Sequence, residues 1–140
     1  MSFREKCAWA AFVTTVIAWG GYFAFVVRQS ILGQDTGATM VVVFIGVTIV
    51  QAVAIAITAA VLAVRAPADA QAPRDERDRV IARRASAVAY FAVLLGLTVI
   101  ITALHLGLHG RGTIFALIGL FMLGEATRFG TQAIGYRTAA

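Results

Sequence analysis

The chain has 140 residues, of which 60% are hydrophobic and 14% charged, with a formal net charge of +5 and a mean hydropathy of +0.84. A soluble domain carries about 25% charged and about 45–50% apolar residues, and a disordered chain is more polar still. A lone cysteine, Cys7, excludes an intrachain disulfide scaffold, and basic residues that punctuate apolar blocks instead of lining a polar face argue against direct nucleic-acid binding, which leaves an integral membrane protein.

About 20 apolar residues span the hydrocarbon core as a helix, and four blocks reach that length. Residues 8–27 carry no charge. The stretch is too long for a signal-peptide core, and Val27-Arg28-Gln29 offers no small-residue cleavage site, so the block reads as a retained helix. Residues 39–64 are uncharged, with Gln51 as the strongly polar member. Residues 85–108 contain His105, and residues 113–134 contain Glu125 and Arg128. The blocks do not alternate polar and apolar as barrel strands do, so all four are expected as helices, at about 8–28, 39–65, 73–108 and 113–135. The expected fold class is an all-α integral membrane protein, a single four-helix transmembrane bundle over residues 1–140.

Lys and Arg favour the cytoplasmic side of short loops. With the N-terminus inside, the inner side holds Arg4, Lys6, Arg65, Arg74, Arg77, Arg79, Arg83, Arg84, Arg128 and Arg137, and the outer side only Arg28 and Arg111, ten against two. Both termini and the charged segment 66–79 are therefore expected in the cytoplasm. Trp9 suits an interfacial anchor, whereas Trp19 lies too deep and is expected to pack against a neighbour.

The segment 73–84 reads as a helix start: Pro73 fits the first turn, and Asp75 and Glu76 suit the positive end of the helix dipole. Asp75 and Glu76 are both spaced to pair with Arg79. The third helix is expected to project into the cytoplasm before entering lipid. Its Asp75, Glu76, Arg77, Asp78, Arg79, Arg83 and Arg84 are either a solvated topology signal or a docking surface for a cytoplasmic partner, and Arg83 and Arg84 can also meet anionic headgroups.

The run Asp75-Glu76-Arg77-Asp78-Arg79, followed by Ile81, Arg83-Arg84 and Ala89-Tyr90, resembles the signature of an uncharacterised family of small four-span prokaryotic membrane proteins. Glu125, Arg128, Gln132, Tyr136 and Arg137 are similar to that family's last-helix pattern, with one Arg after the Tyr where a basic pair is usual. The resemblance covers roughly residues 74–137. Such proteins are often encoded beside small helix-turn-helix regulators, which implies a signalling or regulatory context and no catalytic residue.

Small residues mark close helix interfaces in lipid. Ala85, Ala89, Ala92, Gly96, Ala103 and Gly110 form one stripe, Ala52, Ala56 and Ala60 a second, and Ala126 and Gly130 a third; they serve packing within a left-handed bundle or a homodimer seam. Gln51 is expected to hydrogen-bond across the bundle or, alternatively, to line a polar pathway with Glu125. Thr14, Thr98 and Thr102 are expected to bond their own helix backbone or a neighbour. Glu125, Arg128 and Gln132 form an intramembrane polar face, as a structural pair or as a proton or cation site.

His105 and His109, four apart on one helix face, are weak metal candidates without a third ligand. No nucleophile–base set or phosphate loop occurs, so neither an enzyme nor a cofactor is expected. The expected function is a non-enzymatic partner-binding, scaffold or regulatory module in a bacterial inner membrane. Its partners would be the bilayer, a second copy, or a cytoplasmic or membrane protein. A small proton- or cation-coupled transporter or channel using Glu125 is the alternative.

Overall fold

A computed structural model describes residues 2–34, 37–73 and 75–138. Arg74, counted above among the inner arginines, and Asp35 and Thr36 of the first loop lie outside the described residues. The elements are α1 (Phe3–Ile31), α2 (Gly37–Arg65), α3 (Pro67–Gln71), α4 (Glu76–His105) and α5 (Arg111–Thr138). Four of these, all but α3, are long and apolar enough to cross a membrane. The fold separates into two helical units, Ser2–Gln71 and the remainder from Ala72 onward.

In the first unit α1 starts where Ser2 caps it, its side chain accepting from the Glu5 N–H at 3.2 Å. Its buried residues, Ala8, Ala11, Thr15, Trp19, Tyr22 and Val26, recur every three or four positions, the spacing of a left-handed helix seam. Glu5 continues that line at the helix start and is buried too. Opposite them α2 offers Met40, which is buried, and Phe44, Val47, Gln51, Ala54, Thr58 and Leu62, which are half-buried. Ala52, Ala56 and Ala60 do not serve this packing: all three are exposed, on a different face from Gln51. The seam with α1 follows the larger Phe44 and Gln51 instead.

The α1 end is a Schellman motif. Gln34 N–H donates to the Gln29 carbonyl at 3.1 Å and Gly33 N–H to that of Ser30 at 3.2 Å, with Gly33 in the left-handed region at φ 64°. The segment after α2, expected as loop, contains the short α3, which Pro67 can open because its missing N–H is not needed there.

In the second unit α4 begins at Glu76, not near Pro73. Asp75 is the N-cap: its side chain accepts from Asp78 N–H at 2.7 Å, and the Asp78 side chain accepts from Asp75 N–H at 3.3 Å. This reciprocal box satisfies two otherwise orphaned donors, so the helix starts there. The pairing expected of Asp75 with Arg79 gives way to it, and Arg79 meets Glu76 at 3.8 Å. The other end of α4 is a second Schellman motif, with Leu108 N–H on the Ala103 carbonyl at 2.9 Å and Gly107 N–H on that of Leu104 at 3.2 Å. The helix therefore stops at His105 instead of residue 108.

The α4–α5 packing runs through glycines. A Cβ on Gly124 would lie 2.7 Å from Val93 Cγ2, one on Gly135 2.9 Å from Ile81 Cγ2, and one on Gly96 would overlap Leu120 Cδ1. These are branched side chains seated in glycine holes, the close approach that replaces a hydrophobic drive in lipid. Ala85 and Ala133 are fully buried, and Ala89 nearly so. The α4 stripe read from the sequence thus faces α5, except that Gly110 lies beyond the helix, in the turn.

The remaining faces are apolar and open. Ile17, Val42, Val50, Phe91, Leu95 and Phe121 are each between 63% and 69% exposed. Soluble proteins rarely present contiguous apolar surface of this extent, whereas a lipid-facing helix does.

Candidate functional site

Residues 85–104 of α4 carry no charge and as helix measure about 30 Å, the thickness of a bilayer's hydrocarbon core. Arg84 and Arg83 stand at the edge of that stretch. The turns from Glu76 to Arg84 extend about 12 Å further. This extension is an ordered helix rather than a frayed end. The Asp75 box closes it, and Arg77 Nη2 donates to the Tyr136 carbonyl at 3.3 Å, tying the start of α4 to the end of α5. That bond also satisfies a terminal carbonyl that α5 itself leaves open.

The charged side chains of this end are mostly solvated. Glu76 and Arg79 keep 74% and 59% of their side-chain surface exposed, so their ion pair adds little stability. Arg83 and Arg84 are exposed and make no ion pair or hydrogen bond among the described residues. A groove of about 690 Å³ runs between α4 and α5 here, lined by Glu76, Arg77, Val80, Ile81, Arg84, Val88, Thr131, Ile134, Gly135 and Thr138. Of the seven projection residues singled out from the sequence, Glu76, Arg77 and Arg84 line this groove. Asp75 and Asp78 instead hold the cap. The groove itself was not legible beforehand: its signal is Gly135 falling in register with Ile81.

The polar residues of the apolar helices divide between the two units. In the second, Arg128 Nη1 lies 3.5 Å from Glu125 Oε1 and its guanidinium stacks over the Phe129 ring at 5.1 Å. Their side chains are 44% and 31% exposed, respectively. Gln132 is half-buried one turn further on. In the first unit Gln51 bridges the two helices: Trp19 Nε1 donates to Gln51 Oε1, and Gln51 Nε2 donates to Thr15 Oγ1 at 2.8 Å. An indole N–H can only donate, so it must meet the amide oxygen, and that fixes which way the amide points.

Trp19 stacks edge-on with Tyr22 at 5.5 Å and packs against Phe44 at 5.6 Å. Tyr22 is 2% exposed, and its hydroxyl is buried without a hydrogen-bond partner among the described residues. Thr14, Thr48, Thr58, Thr98 and Thr102 each donate to the carbonyl four residues back in their own helix.

His105 and His109 do not share a helix face, because the Gly107 turn separates them. His105 Nδ1 contacts the Ile101 carbonyl at 2.8 Å, and both imidazoles are exposed. Among the described residues no three His, Cys, Asp or Glu side chains converge as a metal site would require.

No protein-family model, no curated protein and no solved structure matches the chain.

Proposed function

We propose that the chain is a multi-pass protein of a bacterial inner membrane, a four-helix bundle with both termini cytoplasmic, acting as a non-enzymatic partner-binding or regulatory module. The excess of arginine around the α4 start supports reading that end as the inner one. The observation that carries the reading is the ordered extension at Glu76–Arg84: capped by Asp75, tied to Tyr136 by Arg77, and leaving Glu76, Arg79, Arg83 and Arg84 exposed. A mere topology signal needs positive charge but no capped and clasped helix. Pre-ordering lowers the entropy cost of docking, which makes this end suited to a cytoplasmic or membrane protein partner. The regulatory context that the sequence resemblance implies agrees with such a role. Glu125, paired with Arg128, is structural in this reading.

The test is a photo-crosslinking residue placed at Arg79 in growing cells. The expected result is a discrete protein adduct that disappears when Glu76→Lys, Arg83→Glu and Arg84→Glu are combined, with the protein still accumulating in the membrane. No protein adduct, or one indifferent to the charge reversal, would contradict the proposal.

A further inference from the structure

We infer that the groove between the start of α4 and the end of α5 is a binding site for one anionic phospholipid. The inference needs α4 to cross the membrane, but not the docking role proposed for its projection. Three observations converge on it.

The first is shape. Gly135 lets α5 come into close contact with Ile81 of α4, and beside that contact a trough of about 690 Å³ remains with Val80, Val88 and Ile134 on its walls. That volume lies within the range of small-molecule sites, roughly 300–1,000 Å³. The second is charge. Arg77 and Arg84 line the trough, and Arg83 neighbours it. Arg84 and Arg83 have no ion-pair partner among the described residues, and Arg77 gives one N–H to the Tyr136 carbonyl, leaving others free. The acid on the wall, Glu76, is already engaged by Arg79. Guanidinium groups match phosphate oxygens in a fork geometry.

The third is depth. Arg84 ends the uncharged stretch 85–104, so it stands at phosphate height, with Val88 about 6 Å deeper and Val80 about 6 Å shallower. A soluble acidic partner would satisfy the arginines but would have to enter the hydrocarbon to reach Val88. A phospholipid supplies both parts, with an acyl chain along Val88 and a phosphate between Arg77 and Arg84. Basic pockets between helices at the cytoplasmic face are the usual setting for anionic headgroups.

The experiment is native mass spectrometry of the full chain in detergent, titrated with phosphatidylglycerol or phosphatidylcholine. Wild type is expected to bind one phosphatidylglycerol in preference to phosphatidylcholine. Combining Arg77→Gln with Arg84→Gln should weaken it roughly 25-fold, about fivefold for each arginine. Arg28→Gln with Arg111→Gln, which removes the same charge elsewhere, should leave it unchanged. Ile134→Trp, on the exposed wall, should block the site with both arginines intact, and circular dichroism should show helicity retained in every variant.

Equal binding of the two lipids would overturn the inference, as would equal loss in the Arg28/Arg111 variant. Full competition by inorganic phosphate would make this a free-anion site and also overturn it. Tighter binding of an acidic amphipathic peptide than of phosphatidylglycerol would reassign the groove to a protein. A failed crosslink at Arg79 leaves these outcomes unaffected.

Discussion

Trp19 of α1 and Gln51 of α2 are joined by a hydrogen bond in which the indole N–H donates to the amide oxygen, and the same amide donates to Thr15. One glutamine therefore latches both partners on the facing helix. Trp19 is buried and the latch joins both helices through directional bonds, so it fixes their register more firmly than any single apolar contact. Interhelical bonds of this kind contribute on average about 0.6 kcal/mol, with about 1.7 at the upper end. Gln51→Leu removes two of them and strands the indole N–H, and is expected to lower stability by about 1–2 kcal/mol. Steric-trap unfolding in bicelles measures this, and Trp19 fluorescence reports the same loss as a shift in emission.

Tyr22 makes the opposite case. Its hydroxyl is buried and unbonded among the described residues, while its ring packs edge-on against Trp19 and Phe44. A buried hydroxyl without a partner costs about 1–3 kcal/mol. Tyr22→Phe keeps the ring and removes that cost, so the same unfolding assay should show the variant at least as stable as wild type. A clear loss would show that the hydroxyl has a partner.

Two of the three glycine holes differ in what fills them. Gly96 faces the tip of Leu120, a flexible side chain, whereas Gly124 faces a γ-methyl of Val93, whose β-branch restricts it. Gly124→Ala is therefore expected to cost about 1–3 kcal/mol by overpacking, and Gly96→Ala less. Val93→Ala in the Gly124→Ala background should recover most of the loss. A double-mutant cycle read by steric trapping decides it.

How much of this was legible in the sequence depends on the length scale of the signal. The four spans were, because each needs only an apolar run long enough for lipid, even where Glu125 and Arg128 interrupt it in α5. The Schellman ends at Gly33 and Gly107 were partly so, since a glycine after an apolar run is a stop signal, but which of Gly107, Gly110 and Gly112 ends α4 is decided by hydrogen bonds to Ala103 and Leu104. The α4 start was misread because Pro73 and Asp75 both suit a first turn, and the Asp78 reciprocal bond selects Asp75. The Ala52, Ala56 and Ala60 stripe was legible as a face, but spacing does not say what a face meets, and it is not the one turned to α1. The groove at Gly135 was invisible, since it depends on the register between two helices.

The cap at Asp75 governs the projection. Asp75→Ala removes its side of the capping box at a cost of about 1 kcal/mol. Hydrogen exchange should then quicken over Glu76–Arg79 while the amides of the α4 span keep their protection. Uniform exchange along α4 before and after the substitution would show that the box does not order this end.

A cytoplasmic partner and a headgroup of the inner leaflet both meet α4 on the side of the membrane that holds the arginines. The direct measurement places R79C or Q34C in a Cys7→Ser background and applies a membrane-impermeant maleimide to spheroplasts and to inverted vesicles. The account predicts R79C labelled only in inverted vesicles and Q34C only in spheroplasts. R79C labelled on spheroplasts, or the chain recovered in the soluble fraction without detergent, would contradict it.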